Sequence, residues 1–139
     1  GIREKLTDKA QKTLDELAYM AECCKQGLDA IIKNKAELEK LEQEENAVRV
    51  DELLKECLKA KEDMQRDKEV WQLMFAHIGQ SYFLNFELEL KSLIYKTPAQ
   101  MTAKMILMHE EYFRVMDGLM RVIIKALEKA KEKLCTDVT

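Results

Sequence analysis

Apolar residues recur along this chain at alternating spacings of three and four, the period of an amphipathic helix. The first such stripe lasts about four heptads, with Lys35 as its polar interruption. Gly27 lies inside the stripe without breaking it, and we interpret it as a local weakness of about 1 kcal/mol relative to alanine. The pattern predicts a long helix over residues 4–45 with coiled-coil-like packing. Its apolar positions are Ala10, Leu14, Leu17, Ala21, Cys24, Leu28, Ile31 and Leu38.

The same alternation continues in the middle of the chain and predicts a second long helix over residues 49–95. Asn46 is a candidate terminator of the first helix, and either Asn46 or Asp51 is a candidate cap for the second. Alternatively, the second helix splits near Gly79, which would give four helices instead of three.

A helix-start signal follows in the sequence Thr-Pro-Ala-Gln at residues 97–100. Thr97 is the predicted N-cap, Pro98 the first helical residue, and Gln100 the returning member of a capping box. The third helix is predicted over residues 98–135, and its last turn is rich in lysine, as the helix dipole favours.

Together these elements predict an all-α fold, an antiparallel bundle of three long helices in one domain over residues 1–139. Hydrophobic residues make up 47% of the chain, with four glycines and one proline, which argues against disorder and against a turn-rich β fold. Short connections between the helices favour antiparallel neighbours. Because the first residue is Gly1, we interpret the chain as a fragment of a longer protein.

The apolar surface exceeds what one simple bundle needs. Residues 70–86 form the longest stretch without a charged side chain, and they place a second apolar stripe on the back of the second helix. The third helix carries two adjacent seams, an arc too wide for a single neighbour. The first seam comprises Met101, Met105, Met108, Tyr112, Val115, Leu119, Val122 and Ala126. The second seam comprises Ile106, His109, Phe113, Met116, Met120, Ile123, Leu127 and Ala130.

Two explanations account for this excess. The third helix either contacts both other helices of its own bundle, or part of its arc is an interface with another chain. We favour self-association into a homodimer, because a three-helix monomer offers no cover for both excesses at once. The predicted interface residues are Leu73, His77, Gln80, Leu84, Ile106, His109, Phe113, Met116, Met120 and Ile124.

Charge is distributed unevenly along a chain whose net charge is −3, and this net charge argues against a nucleic-acid partner. An exposed basic strip is predicted on the third helix, where spacings of four align Arg121, Lys125, Lys129 and Lys133. Ion pairs with neighbouring glutamates would explain this strip, and an anionic partner surface is the alternative. Residues 37–45 are mostly acidic, and this acidic end and the basic strip could pair between protomers or with a partner.

The sequence shows no constellation of catalytic residues. His77 and His109 are the only histidines, and neither belongs to a spacing typical of metal sites, so we expect no metal and no cofactor. Cys24 and Cys57 are predicted core residues, and Cys135 is predicted to be exposed. Because the cysteines follow no disulfide framework, we expect reduced thiols and a cytoplasmic location.

Three functions are consistent with these features. We favour a non-enzymatic protein–protein interaction or scaffolding module, a dimeric bundle that presents apolar helix faces to a partner. One alternative is a membrane-binding or curvature-sensing dimer that is similar in architecture to BAR-type domains. Another is a carrier of an apolar ligand such as lipid, with walls around Trp71, Phe75, Met105 and Tyr112.

Overall fold

The computed structural model describes the backbone of residues 1–78 and 97–136, and the side chains of residues 1–74 and 97–136. In this part of the chain every regular element is a helix, which confirms the all-α prediction. The helices are α1 (Ile2–Gln43), α2 (Ala47–Met64), α3 (Lys68–Ile78) and α4 (Pro98–Thr136).

The predicted helix starts are confirmed by their hydrogen bonds. The backbone amide of Thr97 donates to Oε1 of Gln100 at 3.2 Å, and the amide of Gln100 donates to Oγ1 of Thr97 at 3.3 Å, which completes the capping box of α4. At the start of α2, Oδ1 of Asn46 accepts from the amide of Arg49 at 3.2 Å. Between α1 and α2, Glu45 adopts the left-handed backbone conformation, with φ of 53°.

The predicted helix over residues 49–95 is wrong as a continuous element, because it is interrupted between Met64 and Lys68. Oδ1 of Asp67 accepts hydrogen bonds from the amides of Glu69 and Val70, so this side chain caps a new helix. Apolar spacing continues through the interruption, and for that reason the sequence pattern does not reveal it. The alternative break near Gly79 lies outside the described residues.

The four helices pack against one another, with α1 in contact with each of the other three. α1 runs antiparallel to both α2 and α4, whereas α2 and α4 run in the same direction. The structure thus differs from the predicted antiparallel bundle of three long helices. Six side-chain contacts show these directions. Glu16–Arg66 and Glu37–Arg49 join α1 to α2 and the residues just after it, and Lys35–Glu110 and Gln11–Lys131 join α1 to α4. Asp51–Thr102 and Gln65–Tyr112 join α2 and the residue just after it to α4.

Gly27 is buried where α1, α2 and α4 meet. A Cβ atom at this position would lie 2.7 Å from Cε2 of Phe113 on α4 and 3.1 Å from Cβ of Ala60 on α2. Interpreting Gly27 as a weakness of α1 is therefore incomplete, because the absence of a side chain permits the close approach of three helices.

Arg66 joins the interruption after α2 to α1. Its guanidinium makes two parallel hydrogen bonds of 3.0 Å to the carboxylate of Glu16 and lies 3.4 Å from the centre of the Tyr19 ring. Two such interactions on one side chain fix the position at which the chain leaves α2.

Arg66→Ala is expected to lower the free energy of unfolding by about 1 kcal/mol, because it removes a bidentate ion pair and a cation–π contact that are partly exposed to solvent. Urea denaturation followed by circular dichroism measures this change. Arg121→Ala is the matched control, since the ion pair of Arg121 among the described residues is with Asp117, one turn earlier in α4. It is expected to change stability by less than about 0.5 kcal/mol. Equal effects of the two substitutions would contradict the role of Arg66.

Candidate functional site

Most of the second seam of α4, from Ile106 to Ile123, is buried within the protein. Five predicted interface residues are buried there, namely Ile106, His109, Phe113, Met116 and Met120. Ile124 is half-buried and packs against the same core. Since α4 contacts both α1 and α2, the structure assigns these side chains to intramolecular packing, which is the alternative explanation for two adjacent seams.

The remaining predicted interface residues lie on or beyond α3. Leu73 is 42% exposed. The side chains of His77, Gln80 and Leu84 lie outside the described part of the structure.

A partly buried polar cluster links the C-terminal end of α2 to α4. The amide nitrogen Nε2 of Gln65 donates to the hydroxyl of Tyr112 at 3.2 Å, and Nζ of Lys61 lies 5.1 Å from the centre of the Tyr112 ring. His109, which is 2% exposed, has Nδ1 at 2.7 Å from the carbonyl oxygen of Met105. With a neutral imidazole, Nδ1–H donates to this carbonyl.

The environment of this cluster favours uncharged forms of its basic groups. Burial lowers the pKa of His109, and the nearby charge of Lys61 lowers it further, whereas the hydrogen bond with Met105 opposes the shift. Burial also lowers the pKa of Lys61. Shifts of this kind also occur at catalytic sites, but here the imidazole and the phenol are enclosed by the protein's own helices. Their geometry favours a role in aligning α2 with α4.

The cysteines of the core are held as thiols. The thiol of Cys24 lies 3.0 Å from the sulfur of Met64, and burial raises the pKa of Cys24 to about 12 and that of Cys57 to about 11. Both residues are buried, as predicted, and Cys135 is exposed, as predicted. Since the thiolate is the nucleophile and the metal ligand, neither Cys24 nor Cys57 is poised for such chemistry at neutral pH.

Exposed apolar residues instead lie on the C-terminal half of the first seam. We define the α4 stripe as Val115, Leu119, Val122 and Ala126. Leu119 is half-buried, and the other three are exposed, with Val122 the most prominent at 64%. The N-terminal half of the same seam includes Tyr112, which is buried. The sequence predicts both seams but does not show which of them faces α1.

A second apolar surface lies between the first turns of α1, the helix α3 and the last turns of α4. We call it the end groove, and its volume is about 480 Å³. Its apolar lining includes Leu6, Ala10, Leu73, Leu127, Ala130 and Leu134. Ala126 belongs to both the end groove and the α4 stripe, so the two surfaces are continuous.

The predicted basic strip is exposed along α4. Arg121 pairs with Asp117 at 3.0 Å, whereas Lys125, Lys129 and Lys133 form no ion pair within the described part of the chain. Ion pairing with neighbouring glutamates therefore does not account for these three lysines. Because α1 and α4 are antiparallel, the basic strip and the acidic residues 37–45 lie toward opposite ends of the molecule.

Comparisons with protein-family models, with curated proteins and with solved structures give no match to this chain. Within the residues that the structure describes, no group of three or more His, Cys, Asp or Glu side chains is arranged to hold a metal ion. None of the helices described is both long and apolar enough to cross a bilayer.

Proposed function

We propose that this chain is a non-enzymatic protein–protein interaction module, a helical scaffold that forms a homodimer and presents apolar helix faces to a partner in the cytoplasm. The observation that carries this proposal is the continuous exposed apolar surface formed by the α4 stripe and the end groove. Contiguous surfaces of this kind on otherwise charged proteins are typical of interaction sites.

The proposed dimer joins two α4 stripes in antiparallel orientation around a twofold axis. In this orientation each stripe covers the other, and the interface is isologous. The basic strip of one protomer would then lie near the acidic residues 37–45 of the other protomer, measured along the helix axes. Charge complementarity of this kind selects the antiparallel over the parallel orientation, which would bring like charges together.

Val122→Glu is expected to weaken dimerisation by at least about tenfold, because it buries a charge at the centre of the apolar contact. Light scattering coupled to size-exclusion chromatography, over a wide range of protein concentration, measures this shift. Val48→Glu is the matched control, since Val48 is 74% exposed on α2 and distant in sequence from the stripe. A wild-type protein that stays monomeric throughout, or equal behaviour of the two variants, would contradict self-association through α4.

A second candidate function, binding to an anionic membrane surface, is favoured by Lys125, Lys129 and Lys133, which form no ion pair with the residues that the structure describes. Sedimentation with phosphatidylserine vesicles tests this alternative, and charge reversal of the three lysines should abolish it. The lipid-carrier alternative receives less support, because Tyr112, one of its predicted wall residues, is packed within the core.

A further inference from the structure

We propose that the end groove binds an amphipathic helix of another protein, with leucine-like anchors on one face and acidic residues flanking them. This inference rests on the proposed interaction function and names the partner's chemistry. Three observations support it, namely the residues that line the groove, the charge of its rim, and the burial of the apolar residues in the chain's own acidic segment, residues 37–45.

The shape of the end groove suits a helix. Its lining combines the small residues Ala10 and Ala130 with leucines from three different helices. On α4 the lining residues Leu127, Ala130 and Leu134 follow the i, i+3, i+7 spacing, so their side chains point along one face. A partner helix with the same periodicity can place its apolar residues against these leucines.

The charge at this end of the molecule is positive. Lys9 and Lys131 are the only charged side chains among the described residues that line the end groove. Lys131 donates to Gln11, which is a neutral acceptor. Nζ of Lys9 lies 3.7 Å from Oε1 of Glu69, and both of these side chains are exposed to solvent. Neither lysine is therefore held in a buried ion pair with the described residues. Residues 2–13, 67–73 and 121–136 together hold ten basic and six acidic residues, although the whole chain has a net charge of −3.

A second copy of this chain does not supply the required helix from its acidic region. Residues 37–45 carry acidic side chains, but the apolar residues among them, Leu38 and Leu41, are buried in the core. This segment therefore does not supply both the acidic side chains and the apolar anchors, and we assign the partner helix to a different protein. A concave groove also suits a helix better than the flat surface of a bilayer.

Selection from a displayed library of amphipathic peptides tests this proposal. Each peptide has about 18 residues, or five helical turns, with a fixed leucine stripe and randomised flanking positions. The expected result is enrichment of Asp and Glu over Lys and Arg at the flanks, with binding that weakens as salt is raised. Failure to select any helix, or selection without acidic enrichment, would overturn the proposal.

Two matched variants locate the binding site. Leu73→Glu should weaken binding of the selected peptide by about tenfold or more, whereas Leu58→Glu should leave it unchanged, since Leu58 on α2 is equally exposed at 42%. Lys131→Glu should shift the selected flanks away from acidic residues. Equal effects of Leu73→Glu and Leu58→Glu, in variants whose circular dichroism matches wild type, would place the peptide elsewhere and overturn the proposal.

Further measurements separate this inference from self-association and from lipid binding. Peptide binding by the Val122→Glu variant would support peptide binding at the end groove independently of dimerisation. Dimerisation of a protein that binds no peptide would reject the end groove as a binding site and leave the proposed self-association standing. Sedimentation with phosphatidylserine vesicles that depends on Leu73, in a protein that selects no peptide, would assign the groove to membranes.

Discussion

Gly27→Ala is expected to lower the free energy of unfolding by about 1–3 kcal/mol, although alanine is a better helix former than glycine. The added Cβ would lie 2.7 Å and 2.9 Å from two ring atoms of Phe113. That ring is buried and packs at 5.9 Å from the Tyr112 ring and 6.2 Å from the His109 ring, measured between centres, so it has little room to move. Chemical denaturation monitored by circular dichroism measures the effect.

Gly118→Ala provides the opposite control. Gly118 lies in the middle of α4, and an added Cβ there would meet no atom within 4 Å. Helix propensity alone then applies, and stability should rise by up to about 1 kcal/mol. Phe113→Leu should also reduce the cost of Gly27→Ala in the double variant, because the two side chains would no longer overlap. A stabilising effect of Gly27→Ala would contradict the close packing at this position.

Stability should fall as pH decreases below about 6.5, the ordinary pKa of histidine, because His109 is buried in its neutral form. Its folded pKa is lowered, so between the folded and unfolded values the unfolded chain binds the additional proton. The contribution of neutral His109 is complete above pH 6.5 and is lost as pH falls toward the folded pKa, with a limiting slope of about 1.4 kcal/mol per pH unit.

The His109→Gln variant isolates this contribution. Denaturation midpoints measured between pH 5 and 8 should show a smaller pH dependence in the variant than in the wild type. Contributions from groups that are common to both proteins cancel in the comparison. The groups that face His109 from its neighbours are Lys61, whose charge opposes protonation, and the Met105 carbonyl, which favours it. Parallel pH profiles would show that His109 is not the responsible group.

Local signals were sufficient for much of the secondary structure. The alternating spacings predict helices because side chains three and four positions apart share a face. Asn46 and the Thr97–Gln100 pair cap helix starts through hydrogen bonds within three residues, so the sequence alone places them correctly. Cys24 and Cys57 are also buried, as their positions on periodic stripes predict.

Only the tertiary structure decided which faces of these helices are buried and which are exposed. The spacing of three and four does not change through the interruption after Met64, and although the Asp67 cap is itself local, Arg66 joins this point to Glu16 fifty positions earlier in the chain. The two seams of α4 are equally apolar in sequence, and the orientation of α1 and α2 decides that Phe113 is buried and Val122 exposed. The end groove likewise combines residues from three helices. The periodicity of the sequence predicts which side chains share a face of a helix. Whether that face is buried depends on contacts with residues far away in the sequence, which a local pattern does not show.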